Sequence, residues 1–298
     1  MKRFAPASAL VMAAVLMAAP LQADPVEIAT ARGPVTLAAP PAKVAVFDIA
    51  AADTLEALGV APVGLPTQLY VDYLDRGAAA PIGTLFEPDL EALSTLEPDL
   101  IVIGSRSAAQ FEAVAQVAPT IDMTISPDVL GDARARLETY GTLFHREAKA
   151  AALEATLDAR LAEVQGAAKG RGDALIVLTN GPKISAYGRG SRFGWLHDAV
   201  GLPEAWPALK PEVHGDAISF EFIAEVDPDW LIVVDRGAAT GAAGVSARET
   251  LDNPLVAGTK AAKAGQVVYL NAANLYIAGG GYQALMANLA ELLAALKG

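Results

Sequence analysis

Two arginines stand 130 residues apart at the same place in a repeated segment. Residues 89–106 read DLEALSTLEPDLIVIGSR and residues 219–236 read SFEFIAEVDPDWLIVVDR. In this register Glu91 matches Glu221, Pro98 matches Pro228, Asp99 matches Asp229 and Arg106 matches Arg236. The apolar positions correspond too: Leu90 with Phe220, Leu93 with Ile223, Leu96 with Val226, and Ile101–Ile103 with Leu231–Val233. Each copy reads as a short amphipathic helix, a Pro-Asp turn, a buried strand and an Arg just past it. Ligands of open α/β sheets bind beyond the carboxyl ends of the strands, so the two arginines are placed to offer positive charge to one shared cleft. Two solvated arginines after ordinary strands are the plainer alternative.

A third basic element is the stretch Ser185-Ala-Tyr-Gly-Arg-Gly-Ser-Arg-Phe-Gly194, where Arg189 and Arg192 lead into a helix expected over Phe193–Val200. A helix N-terminus flanked by arginines suits an anion. The glycines fit no dinucleotide fingerprint, because position 193 is Phe where a third Gly is needed. There is no Gly-Lys-Ser/Thr of a Walker loop, and Arg189 breaks a Gly-x-Ser-x-Gly elbow. A flexible turn with solvated arginines stays open here. Tyr187 and Trp195 suit either a cleft wall or core packing. His214 by itself reads as a solvent-facing or core histidine, His145 and His197 read as structural, and Trp206 and Trp230 read as core.

The elements that must carry these residues alternate. Lys43–Asp48 is a short apolar run, followed by a helical pattern over Ala51–Leu58 that stops at Gly59. Strands are expected at Leu100–Gly104 and Thr120–Ile125. Asp132 to Ala168 has no Pro and keeps helical spacing, with a break near His145. Beyond Gly170-Arg-Gly172 strands restart at Ala174–Thr179, Leu231–Asp235 and Val267–Leu270, and a helix over Tyr282–Leu296 closes the chain. The expected fold class is α/β: two α/β lobes joined by a long linking α-helix, with the ligand cleft between the lobes. The expected division is a signal peptide at 1–23, an N-terminal lobe at 24–144, a linking helix at 145–170 and a C-terminal lobe at 171–298.

Composition narrows the function. Of 298 residues, 53% are hydrophobic and 19% charged, which is a globular balance and not a disordered one. The 22 Lys+Arg against 34 Asp+Glu give a net charge of −12, which argues against a nucleic-acid surface and a polybasic membrane patch. The absence of cysteine excludes disulfides, thiolate metal sites, a cysteine nucleophile and a lipid-modified N-terminal Cys. Lys2 and Arg3, the apolar run Ala9–Ala19 and the small residue Ala23 make a cleavable secretory signal. The run is too short to span a bilayer. Cleavage after residue 23 removes Lys2 and Arg3 and takes the charge to −14. A location in the periplasm, with no lipid anchor, is expected.

These residues together resemble the periplasmic ferric-siderophore-binding proteins of ABC importers, in the helical-backbone class, and within it the catecholate and petrobactin-type group. The resemblance runs over nearly the whole mature chain. Its carriers are Gly33-Pro-Val-Thr-Leu with Lys43-Val-Ala-Val-Phe-Asp, then Ala52-Asp-Thr-Leu-Glu-Ala-Leu-Gly59 and Glu97-Pro-Asp-Leu-Ile-Val-Ile103. Ser185-Ala-Tyr-Gly with Gly190-Ser-Arg-Phe-Gly194, and Asp252-Asn-Pro-Leu with Gly265-Gln-Val-Val-Tyr269, complete them. The resemblance implies that Arg106, Arg192 and Arg236 face the ferric complex. It implies that His214 and Tyr276 fill open positions on the iron of a tetradentate bis-catecholate, with Tyr276 matched by its context Asn274-Leu-Tyr-Ile-Ala-Gly279. It implies little hinge closure. It also implies that Glu91 and Glu221, one per lobe, dock onto a dimeric inner-membrane permease; the plain reading of each is a carboxylate at a helix N-terminus.

The function so implied is capture of a ferric siderophore and its delivery for iron transport. The chain is then not an enzyme and holds no permanent cofactor, with Fe(III) carried only as the siderophore complex. A monomer is expected. The alternatives are a haem carrier on the same fold, whose iron takes Tyr or His, and a secreted hydrolase built on a serine, His214 and Asp235. A cobalamin carrier would not need three cleft arginines.

Overall fold

The computed structural model describes residues 25–298, so the expected signal segment 1–23 lies outside the described residues. The first half holds a β-hairpin of β1 (Val26–Thr30) and β2 (Gly33–Leu37), then β3 (Val44–Val46), α1 (Ile49–Leu58), β4 (Gly64–Leu65), β5 (Ala80–Pro81), α2 (Leu90–Leu96), β6 (Leu100–Ile103), α3 (Phe111–Val114), β7 (Thr120–Asp122) and α4 (Val129–Leu143). Its sheet runs β5-β4-β3-β6-β7, and every pairing in it is parallel. Helix α5 (Glu147–Ala168) follows.

The second half holds β8 (Ala174–Asn180), β9 (Lys183–Ala186), α6 (Trp195–Val200), β10 (Asp216–Ile218), α7 (Phe220–Val226), β11 (Trp230–Asp235) and α8 (Arg236–Thr240). Then come α9 (Ala247–Thr250), α10 (Pro254–Ala257), α11 (Lys260–Lys263), β12 (Val267–Tyr269), α12 (Ala272–Tyr276) and α13 (Tyr282–Lys297). Its sheet runs β10-β9-β8-β11-β12, parallel at β8-β11-β12 and antiparallel at β8-β9-β10. The two lobes and the helix between them are as the alternation of elements implies.

Local chemistry explains the boundaries. Asp48 caps α1 by accepting the Ala50 N–H (3.1 Å), and Gly59 ends it in the left-handed region at φ 77°. The repeat is structural as well as sequential. Helices α2 and α7 both end in a left-handed non-glycine residue, Glu97 (φ 49°) and Asp227 (φ 45°), at matching positions. Asp99 then accepts the N–H of Ala42 and Lys43, while Asp229 accepts that of Asp173, each tying down the chain that enters a neighbouring strand. Pro98 and Pro228 are both buried.

Helix α5 has 22 residues, about 33 Å at the usual rise. Its buried positions Ala150, Leu157, Leu161, Val164 and Ala168 make a stripe that packs on α4, α6 and α13. One apolar core runs from Val46 and Val102 of the first sheet through Leu157 and Leu289 to Ile176 and Ile232 of the second. The outer faces of the two sheets carry separate cores, one around Ile101 and Ile103, the other around Leu231 and Val233. Two expectations are corrected. Trp206 is surface-lying at 38% exposure, edge-on to Phe222 at 5.5 Å. The helix expected from Phe193 begins at Trp195, because residues 191–194 are occupied by turns closed on Gly188 and Ser191.

The last helix returns to the first half. Asp53 of α1 is buried and accepts the N–H of Gln283 (2.7 Å) and of Ala284 (2.9 Å), while Tyr73 donates its hydroxyl to the same carboxylate. Burial pushes the Asp53 carboxyl up to about 7, against the hydrogen bonds from Tyr73, Gln283 and Ala284 that favour its charged form. The folded protein therefore keeps this proton to about pH 7, whereas the unfolded chain releases it near the ordinary 3.8. Between those values the native state binds more protons, so this group's contribution to stability falls as pH rises from about 4 to about 7. Asp53→Asn, uncharged throughout, is expected to flatten that part of the pH profile, read from urea midpoints at intervals between about pH 4 and pH 7.5. A profile of the same slope in the variant would assign the pH dependence elsewhere.

Candidate ligand-binding cleft

The cleft lies where the sheet rule puts it. The ends of β3, β6 and β7 contribute Phe47–Ile49, Gly104–Arg106 and Thr124–Pro127 from the first lobe. Facing them are Arg192, Trp195 and Val213, and the segment Leu275–Ile277. The cavity is about 340 Å³, of small-molecule size.

Tyr276 lines the cavity and gathers three arginines. Three guanidinium carbons surround that ring, Arg192 at 4.7 Å, Arg106 at 4.9 Å and Arg236 at 5.9 Å from the centroid. Arg106 donates to the Tyr276 carbonyl, and Arg236 Nε donates to the phenol oxygen at 3.1 Å. A second nitrogen of Arg236 donates to Asn180 at 3.2 Å. Burial by itself would raise the Tyr276 phenol. The Arg236 hydrogen bond and the charges of Arg192, Arg236 and Arg106 together outweigh it and hold the phenol below its ordinary value. Burial and the nearby Arg192 lower Arg106. Three cations gathered at one ring, with Asp48 as the carboxylate whose charge reaches Arg106, make a net positive field, which an anion would complete.

A glycine strap sets where Tyr276 stands. Gly279, Gly280 and Gly281 link it to α13, and Gly280 lies at φ 85° with its Cα so close to Ile125 that a Cβ there would fall 1.9 Å from that side chain. A residue with a side chain would need both a strained backbone and a displaced cleft wall.

The remaining sequence-derived residues fall in different places. His214 is exposed on the turn Pro211–Gly215, one residue from the cleft-lining Val213 and outside the cluster around Tyr276. Tyr187 is buried at 4% exposure, edge-on to Phe193 at 4.8 Å and covered by Gly215. It backs Phe193, whose ring lies 6.5 Å from that of Tyr276, so its place is behind the cleft and not on its wall. Trp195 does line the cleft. Arg189, paired on the loop with Arg192, turns away to Asp198 (2.9 Å) and Glu204 (3.2 Å). His197 is buried with Nδ1 against the Leu202 carbonyl, a structural position. Asp235 caps α8 and accepts the N–H of Ala238 and Ala247, so its carboxylate serves backbone groups. Glu91 and Glu221 are exposed, away from the cleft residues. Among the described residues no three His, Asp or Glu side chains gather as a resident metal site.

Two charged cleft residues escape the sequence reading: Asp48 and Arg136, an ion pair at 3.0 Å. Asp48 follows β3 as Arg106 follows β6, so the strand-end rule applied to Lys43–Asp48 finds it. Arg136 sits among the apolar positions Ala133, Leu137 and Tyr140 of α4, and a charge on the buried face of a helix is its signal.

Residues 44–273 match the family of periplasmic binding proteins. The chain belongs to that family. It is 35% identical over 259 residues to the petrobactin-binding protein YclQ of Bacillus subtilis, covering 85% of this chain and 81% of that one. It is 30% identical over 250 residues to the ferric-anguibactin-binding protein FatB of Vibrio anguillarum, covering 80% and 77%. The crystal structure of YclQ superposes with a TM-score of 0.87 at 31% identity, over 92% of this chain and 99% of that one. The periplasmic catecholate-siderophore-binding protein VctP of Vibrio cholerae superposes with a TM-score of 0.83 at 31% identity, over 91% of this chain and all of the other. These relatives are binding proteins. Among the described residues no helix is long and apolar enough to cross a membrane.

Proposed function

We propose that this protein captures a ferric siderophore of catecholate type in the periplasm and delivers it to the permease of an ABC importer. The observation that carries the reading is the convergence of Arg106, Arg192 and Arg236 on one phenol whose acidity they raise. Ferric catecholates are anionic, and three guanidiniums balance a charge of up to about −3 while donating to catecholate oxygens through planar forks. Their flat faces also stack on aromatic rings. Fe(III) is a hard ion suited to phenolate oxygen, and the lowered Tyr276 phenol is the group here closest to that state. Relatives named for petrobactin, ferric anguibactin and catecholate siderophores support the same class.

In this reading His214 and Tyr276 complete the iron shell of a tetradentate bis-catecholate. His214 reaches it by movement of the exposed Pro211–Gly215 turn, and Tyr276 by exchanging its Arg236 hydrogen bond for iron. A hexadentate tris-catecholate offers no open position. Adding the protein should therefore shift the visible charge-transfer band of a ferric bis-catecholate and leave that of a tris-catecholate nearly unchanged. His214→Ala with Tyr276→Phe should abolish the shift. Identical spectra for the wild type and the double variant would reject direct ligation. Failure of either complex to bind, with haem bound in their place, would reject the siderophore reading.

A further inference from the structure

The cleft is chemically lopsided. Around Tyr276 three guanidiniums gather, whereas the end inside the first lobe pairs one cation with one carboxylate, Asp48, whose charge also reaches Arg106. There Asp48 lines the cleft with its side chain 13% exposed, and Arg136, 3% exposed, pairs with it through Nη2. On this lobe the lining mixes apolar Phe47, Ile49, Leu85 and Val129 with the polar Thr124 and Ser126. A carboxylate in an anion-binding cleft opposes the ligand unless it serves to choose among ligands.

Its hydrogen bonds show how Asp48 is held. Oδ1 accepts the Ala50 N–H at the start of α1, and Oδ2 accepts from Arg136. Gly104 makes the space, since a Cβ there would lie 2.4 Å from Oδ2. The cap alone does not call for an acid, because Asn and Ser cap as well. The buried guanidinium does call for one. Arg136 Nη1 finds no hydrogen-bond partner among the described residues, so Asp48 occupies only part of the fork.

We propose that Asp48 is a specificity-determining residue: it pairs with the charge of Arg136 through one nitrogen and keeps its own negative charge at the cleft wall, and so turns this end of the cleft toward ligands whose arm is uncharged, and against those whose arm ends in a free carboxylate. This rests on the ferric-catecholate reading above. The negative charge of Asp48 repels a second carboxylate, and the charge of the buried Arg136 is already paired with it. An uncharged alkyl arm packs on the apolar lining without that penalty.

The test uses two ferric complexes with the same head, one of N-propyl-2,3-dihydroxybenzamide and one of its analogue with a terminal carboxylate on the propyl arm. Wild-type protein should bind the uncharged-arm complex about tenfold or more tightly than the other, measured by fluorescence quenching. Asp48→Asn keeps the cap and the space but leaves Arg136 uncompensated. It should strengthen binding of the carboxylate-armed complex and bring the ratio to about one or invert it, a gain that loss of structure cannot produce. Adding Arg136→Met in that background removes the cation too and should take the gain away. A wild-type ratio near one overturns the proposal whether or not the variants fold, and so does an Asp48→Asn variant that weakens both complexes equally. Binding of neither complex to the wild type would instead overturn the ferric-catecholate reading itself.

Discussion

A protein carrying Glu91→Lys and Glu221→Lys together is expected to bind its ferric ligand with unchanged affinity and yet to support almost no iron uptake in cells. Both glutamates are exposed in the first turns of α2 and α7, one on each lobe at matching positions of the repeat. Locally each favours the positive end of its helix. The Glu221 carboxyl is held below its ordinary value by hydrogen bonds from the Ser219 hydroxyl and from its own backbone N–H. That local role explains one glutamate per helix, since Asp89 and Ser219 already provide the caps. It does not explain why two lobes present the same acid at the same place. We propose that the pair meets two equivalent basic sites on a dimeric permease. Exposed ion pairs contribute only about 0–1 kcal/mol each and chiefly set approach and register. Single Ala variants should accordingly slow uptake, and double charge reversal should turn attraction into repulsion at both ends. Radiolabelled-iron uptake in a strain lacking the native gene checks this, with ligand titration and thermal melting of the purified variant as controls. Normal uptake by the folded double variant would refute docking, and a large loss of ligand affinity would mean that these residues face the cleft.

The repeat made much of this legible from residues alone. Its register of Pro-Asp, buried strand and trailing Arg recurs in the structure down to the left-handed Glu97 and Asp227, and it brings Arg106 and Arg236 to one ring. The break at His145 and the length of α5 followed from apolar spacing and from the absence of Pro. What stayed hidden is what spacing cannot encode. The apolar stripe of α13 says that the helix is covered, but not that Asp53, about 230 positions earlier, accepts its first N–H groups. Tyr187 and Trp195 lie in the same loop-helix stretch and have similar apolar character. Only the placing of Phe193 between Tyr187 and Tyr276 decides that Tyr187 backs the cleft, while Trp195 lines it. Arg136 was masked by its own helix, where a lone charge among apolar neighbours can be a snorkelling side chain as readily as a buried partner. The antiparallel extension by β9 and β10 rests on short, half-exposed strands whose alternation is too brief to read.

Removal of any one of the three arginines is expected to weaken ferric-catecholate binding by about 1.5–3 kcal/mol, roughly ten- to 150-fold. The order should follow burial. Arg106 is half-buried, anchored to the Tyr276 carbonyl, and lowered by desolvation, so its charge acts through less water and Arg106→Ala should cost most. Arg236 is exposed, so the solvent screens its charge and Arg236→Ala should cost least. Arg236 also holds the Tyr276 phenol, so its loss should raise the phenol toward its ordinary value and move the ligand-affinity pH profile upward. Arg→Lys should restore the charge but not the fork, leaving each Lys variant between Ala and wild type. Affinity should fall as salt rises in the wild type, and the slope should shrink with each arginine removed. Titration of the three Ala and three Lys variants at two ionic strengths checks every part of this. Unchanged affinity in all three Ala variants would move the anion site away from Tyr276. A uniform loss without salt dependence would show that the arginines shape the cleft and do not balance the ligand's charge.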